Sequence, residues 1–125
     1  MKNYIHLMIL APLFWLAACN QKADKTKRFI PGNYVNFAKS DYAQANDTLI
    51  ISVVKDNSFL ITRNTTYQAI RNGRLLPKHR QVRRLNGLYD SQNQVLDETT
   101  TGRIFRFDLS KRTLKVNQAI YQKIN

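Results

Sequence analysis

Short stretches of alternating apolar and polar residues recur along residues 29–125, each bounded by residues that favour turns. Residues 32–38 alternate loosely, and 49–54 are β-branched and apolar. Residues 58–62, 67–71, 81–89, 94–100, 103–109, 113–116 and 119–124 continue the series. Between them fall Asp56-Asn57, Asn72-Gly73, Asp90-Ser91-Gln92-Asn93, Thr101-Gly102, Ser110-Lys111 and Asn117-Gln118. Asn72-Gly73 is a strong hairpin signal, because both central residues of a type I′ turn need positive φ. No stretch sustains a 3.6-residue apolar period. Strands at roughly 8–12-residue spacing argue an all-β sandwich or barrel, and hairpin-length connections argue an antiparallel meander. Closing the sheet removes its exposed edges, so an up-and-down barrel of about eight strands is predicted. Its expected core is Tyr34, Leu49, Ile51, Val53, Phe59, Ile61, Ile70, Leu88, Phe105, Phe107, Leu114, Val116 and Tyr121.

The first residues follow another pattern. Met1-Lys2-Asn3 is a short basic start, and residues 4–18 carry no formal charge. That run is shorter than the roughly 20 apolar residues that span a bilayer. A basic start, an apolar run and a small-residue end describe a secretory signal peptide. It ends in Leu16-Ala17-Ala18-Cys19, which resembles the lipobox of bacterial lipoproteins. The resemblance implies that the Cys19 thiol receives a diacylglyceryl group and that signal peptidase cuts between Ala18 and Cys19. Cys19 is the chain's one cysteine, and an odd cysteine in an exported protein asks for such an explanation. Several acyl chains hold far more firmly than a single myristoyl chain. Residues 20–28 are polar and read as a tether spanning at most about 30 Å. The expected organisation is therefore a signal peptide over 1–18, a lipidated cysteine and tether over 19–28, and a single β domain over 29–125.

A second likeness covers nearly all of the mature chain. Phe29-Ile30-Pro31-Gly32-Asn33-Tyr34-Val35, Asp47-Thr48-Leu49-Ile50-Ile51, Gly87-Leu88-Tyr89-Asp90 and Tyr121-Gln122-Lys123-Ile124 resemble a group of small lipoproteins of Bacteroidetes-type bacteria. Some of these are encoded near mobile-element or conjugation genes. The resemblance implies a lipocalin-like β fold and an envelope location, and no particular activity. By the enterobacterial sorting scheme, Asn20 rather than Asp after the cysteine points to the outer membrane. The lack of an acidic cluster in residues 20–28 favours the periplasm-facing side.

Charge changes the picture further. The formal net charge is +12; loss of residues 1–18 removes only Lys2 and leaves +11. From Asn57 to Tyr89 there is no acidic residue, while Arg63, Arg71, Arg74, Lys78, Arg80, Arg83 and Arg84 are present. Arginine suits bidentate recognition of phosphate and carboxylate. Arg71, Arg74, Lys78, Arg80, Arg83 and Arg84 are taken as a candidate basic interaction face. Export argues against nucleic acid as a partner and leaves an envelope protein, anionic lipid or lipopolysaccharide. Catalytic chemistry is not expected. His79 lies between Lys78 and Arg80, and Asp97 and Glu98, as strand neighbours, face opposite sides. There is no G-x-S-x-G, phosphate loop or H-E-x-x-H, and neither metal nor cofactor is expected. The reading is a membrane-anchored, non-catalytic interaction module accessory to an envelope or conjugation assembly. The alternatives are a lipocalin-like binder of a small apolar or anionic ligand, with Tyr34, Phe105 and Phe107 lining a cavity, and a polyanion binder using the basic face.

Overall fold

The computed structural model describes residues 24–125. A five-residue helix α1 (Lys25–Phe29) is followed by strands β1 (Gly32–Lys39), β2 (Ala43–Lys55), β3 (Ser58–Arg71), β4 (Arg74–Leu75) and β5 (His79–Asp90). The series continues with β6 (Val95–Glu98), β7 (Arg103–Asp108), β8 (Thr113–Val116) and β9 (Ala119–Lys123). All strand pairs are antiparallel. β1, β2, β3, β5, β6, β7, β8 and β9 pair in that order, and β9 returns to β1 through Tyr34↔Lys123 and Val35↔Gln122. The result is a closed eight-stranded up-and-down barrel, as the spacing of short strands predicted. β4 is a two-residue addition to the far end of β3.

The turns carry the chemistry their geometry demands. Asn72 (φ 52°) and Gly73 (φ 74°) join Arg71 to its partner Arg74, giving the two positive φ values of a type I′ hairpin. Gly32 has φ 147°, and a Cβ there would lie 2.2 Å from the carbonyl oxygen of Asn125. Only glycine lets β1 begin against the end of the chain.

Side chains at alternate positions fill the barrel. Tyr34, Leu49, Ile51, Phe59, Ile61, Leu85, Tyr89, Leu96, Phe105, Leu114, Val116 and Tyr121 form one buried cluster, with Phe107 packed against it. Three expected core positions are corrected. Leu88 is 51% exposed and Val53 is 54% exposed, while Ile70 is only partly buried. In β5 the inward parity is set by Leu85, Gly87 and Tyr89, so Leu88 faces out. Val53 sits where a bulge breaks the β2–β3 register. Ile70 lies beyond the barrel.

The tether prediction is also corrected. Residues 24–28 belong to the folded domain rather than to a solvated linker. Asp24 caps α1 by accepting from the Lys27 amide at 3.1 Å, and its other oxygen accepts from the Tyr89 hydroxyl at 2.7 Å. That bond from Tyr89, foremost, holds the Asp24 carboxyl below its ordinary range. The helix delivers Ile30, fully buried, as a plug in one end of the barrel. The Tyr34 hydroxyl donates to the Ile30 carbonyl at 2.7 Å and to that of Phe29 at 3.1 Å. Phe29 stands edge-on to Tyr34 and Phe107 at 6.2 and 6.1 Å. The Lys123 ammonium lies 4.1 Å from the Phe29 ring centre and donates to the Phe29 carbonyl. Residues 19–23, with Cys19, lie outside the described residues, as does the predicted signal peptide.

The other end opens. β6, β7, β8 and β9 are short, whereas β2, β3 and β5 run on past them. Residues 36–39, 43–48, 62–71 and 79–84 form a four-stranded flap, in the order β1-β2-β3-β5, that projects from the barrel mouth. At about 3.3 Å per residue its longest strand extends about 30 Å. The two strands predicted at 58–62 and 67–71 are therefore one.

If α1 is a seal, trimming its plug leaves a void at the barrel base. Ile30→Ala is expected to lower stability by about 3 kcal/mol, read as a shift of the urea midpoint at unchanged slope. A loss below about 0.5 kcal/mol would show that the plug contributes little packing.

Candidate interaction surface

The flap is held at its root by one carboxylate. Asp47 on β2 accepts from Arg63 Nε at 3.0 Å and Arg63 Nη2 at 2.7 Å. Thr65 Oγ1 donates to it at 3.0 Å, and Tyr121 Oη at 2.7 Å. Strand alternation explains the convergence. Asp47 and Thr65 are directly opposed, Leu49 opposes Arg63, and all four continue the inward parity of Leu49 and Ile61. The group ties β2, β3 and β9 together where the wall gives way to the flap. Burial pushes the Asp47 carboxyl up. Hydrogen bonds from Arg63 and Tyr121, the Arg63 charge and the Thr65 hydroxyl outweigh it and leave the carboxyl below its ordinary range. The same pair raises Arg63, mainly through its bond to Asp47. Burial, then the bond to Asp47, raises Tyr121.

Below this root the interior is filled. Between Arg63, Glu98, Phe105 and Tyr121 remains a void of about 20 Å³, room for roughly one water. Tyr34, Phe105 and Phe107, which a ligand binder would present to a cavity, are spent on packing. Glu98, 1% exposed, is also spent on structure: it accepts from the Thr101 amide at 2.8 Å and from the Thr101 hydroxyl, pinning the turn before β7.

Above the root, the structure divides the predicted basic face. Arg71 and Arg74 oppose each other beside the Asn72-Gly73 turn at the flap tip. Lys78 is in the connection before β5. On β5, Leu85, Gly87 and Tyr89 face inward, so His79, Gln81 and Arg83 share the flap's inner side and Arg80, Val82 and Arg84 its outer side. Arg83 opposes Arg63, and His79 lies 6.5 Å from Tyr67, ring to ring. Arg80 Nε donates to Asn64 Oδ1 at 3.1 Å. All six candidates are exposed. Among the described residues, the one ion pair is Arg63 with Asp47, so none of the six is neutralised by a carboxylate. They form a tip and two sides of one strand, not a single face.

What brings the two sides together is the edge of β5. Thr99 donates its amide to the Asn86 carbonyl at 2.8 Å, and Asn86 donates its amide to Thr100 Oγ1 at 3.0 Å. The even-numbered residues of β5 therefore direct their backbone groups away from β3. Beyond Asn86 no strand of the described residues lies on that side. The N–H and C=O groups of Arg80, Val82 and Arg84 face solvent along a free edge.

Sequence reasoning missed the free edge and a second basic strip. On the outer wall Arg106 opposes Lys115, and these with Arg103 line a shallow groove of about 400 Å³. The alternation that turns Phe105 and Phe107 inward was the available signal for Arg106. No signal for an edge exists in a sequence without knowledge of strand length. Comparison with protein-family models, with curated proteins and with solved structures finds no match.

The depressed Asp47 carboxyl makes the root pH-dependent. A group whose folded pKa lies below its unfolded value, about 4, stabilises the fold above that value and loses its contribution as pH falls through the folded one. Asp47→Asn is expected to lose about 2 kcal/mol at pH 7, and the gap to the parent should shrink as pH falls below about 4. A gap that stays constant from neutral pH to pH 3 in urea titrations would contradict this role.

Proposed function

We propose that this chain is an exported lipoprotein, anchored through Cys19 in the bacterial envelope, whose β domain is a non-catalytic docking module for an acidic envelope protein. The observation that carries the reading is the disposition of the two ends. The described chain starts at Asp24 on the plugged end, while the uncompensated arginines lie on a flap at the opposite end. Cys19 precedes Asp24 by five residues, at most about 17 Å of extended chain. A lipid there holds the plugged end toward the membrane and presents the arginines away from it, where the larger share of accessible acidic surface belongs to proteins. Asn20 supports the outer membrane, and the lack of an acidic cluster in residues 20–28 supports its periplasmic face. Among the described residues, no helix is long and apolar enough to cross a membrane. The filled interior favours docking over enclosure of a small ligand.

The test uses the full-length chain in an envelope-bearing bacterial host, beside Cys19→Ser and the triple reversal Arg80→Glu, Arg83→Glu, Arg84→Glu. Fatty-acid label is expected in the parent and the reversal but not in Cys19→Ser. Crosslinking is expected to recover a reproducible set of envelope proteins that the reversal loses. Label retained in Cys19→Ser would refute the anchor. An unchanged set of partners with the reversal would refute the basic flap as the docking surface.

A further inference from the structure

Resting on that docking reading, we propose that the free edge of β5 is the binding element, and that it takes an acidic, extended segment of the partner as an additional antiparallel strand. Three observations converge on the edge. First, Arg80, Val82 and Arg84 present N–H and C=O groups in register that have no backbone partner among the described residues, and Thr99 and Thr100 close the ladder at Asn86. An incoming strand continues the position that β6 occupies in the barrel wall, above that turn. Second, the arginines of β5 stand on both sides of the strand: Arg80 and Arg84 outside, Arg83 inside. A partner laid on either face would meet only part of this charge. One added edge-on meets all of it, since residues directly opposite across two strands lie about 5 Å apart. Third, Val82, 49% exposed, sits between Arg80 and Arg84 on the outer side. The chemistry selected is therefore an extended segment with acidic residues flanking an apolar one at alternate positions.

A second copy of this chain fits the edge poorly, because pairing β5 with β5 would set arginine strands against each other without a compensating carboxylate. Main-chain bonds give affinity and alternate side chains give selectivity in recognition by strand addition.

The probe is a fluorescent heptapeptide, Thr-Glu-Glu-Val-Thr-Glu-Thr, whose central residues set Glu, Val and Glu opposite Arg84, Val82 and Arg80 and a further Glu opposite Arg83; it is titrated by anisotropy against the full chain in detergent at about 150 mM salt. Binding is expected, and N-methylation of alternate peptide nitrogens should weaken it at least tenfold. Val82→Pro removes an N–H that points away from β3, a place where an edge strand tolerates proline, and should weaken binding at least tenfold, whereas Val82→Thr should not. Arg80→Glu with Arg84→Glu should abolish binding. No binding by the parent chain would overturn the proposal, as would equal affinity for the N-methylated peptide, which would mean attraction by charge alone. The methylated peptide decides the matter even if Val82→Pro fails to fold. A concentration-dependent dimer in sedimentation, lost in Val82→Pro, would assign the edge to a second copy and also overturn it. In the crosslinking experiment, partners lost on arginine reversal but kept by Val82→Pro would leave the docking function standing and refute strand addition.

Discussion

The Asp47 carboxylate is the point on which the architecture turns. Below it the sheet is a closed ring whose inward side chains bury one another. Above it four strands continue without a ring, and among the described residues their inner side has no opposing wall. Sheet that leaves a barrel must be held at the exit, or the strands would splay where inter-strand contacts end. Asp47 does this with bonds from Arg63 and Thr65 on β3 and Tyr121 on β9. An isolated buried charge is costly unless paired and hydrogen-bonded, and here both of its oxygens have partners. Removing a partner from such a group costs more than its presence contributes over an apolar alternative, so the cluster acts on specificity: it sets one register for the flap.

The base follows the opposite strategy. It is closed by covalent continuity, since α1 and Ile30 precede β1 directly, and by polar bonds from Tyr34 and Tyr89 to backbone and Asp24. A five-residue helix has no stability of its own and exists through its packing on the barrel. This is why residues 24–28 read as a polar tether in sequence. Their signal is an Asp cap and the buried Thr26, too short to register as an apolar period.

The same physics separates what was legible from what was not. Where one side of a strand faces the core, alternation is visible: Leu49 with Ile51, Phe59 with Ile61, Leu114 with Val116. The barrel, its meander order and the type I′ turn follow from those residues. Where both sides of the sheet face water, no alternation is required. Residues 43–48 and 63–66 lie in long strands yet read as polar connection, so the flap was invisible and β3 seemed to be two strands. The arginines were legible as a cluster, but parity sends Arg83 to one side of β5 and Arg80 and Arg84 to the other. Leu88 and Tyr89 posed a parity choice that only Leu85, four residues earlier, resolves.

A free strand edge on a closed barrel calls for a physical explanation, because closure had removed such edges everywhere below the flap. Proteins commonly guard an edge with charge, and arginine at positions 80, 83 and 84 meets that requirement: identical chains repel. A guard against self-pairing is also a filter, since the charge that rejects a basic strand attracts an acidic one of the same backbone geometry. Specificity arises here from repulsion as much as from attraction. The absence of acidic residues from Asn57 to Tyr89 keeps that filter uncompensated along the strand, and the fold reserves its one carboxylate on this flap's inner root for Arg63, the arginine that must be silent for the sheet to hold its shape.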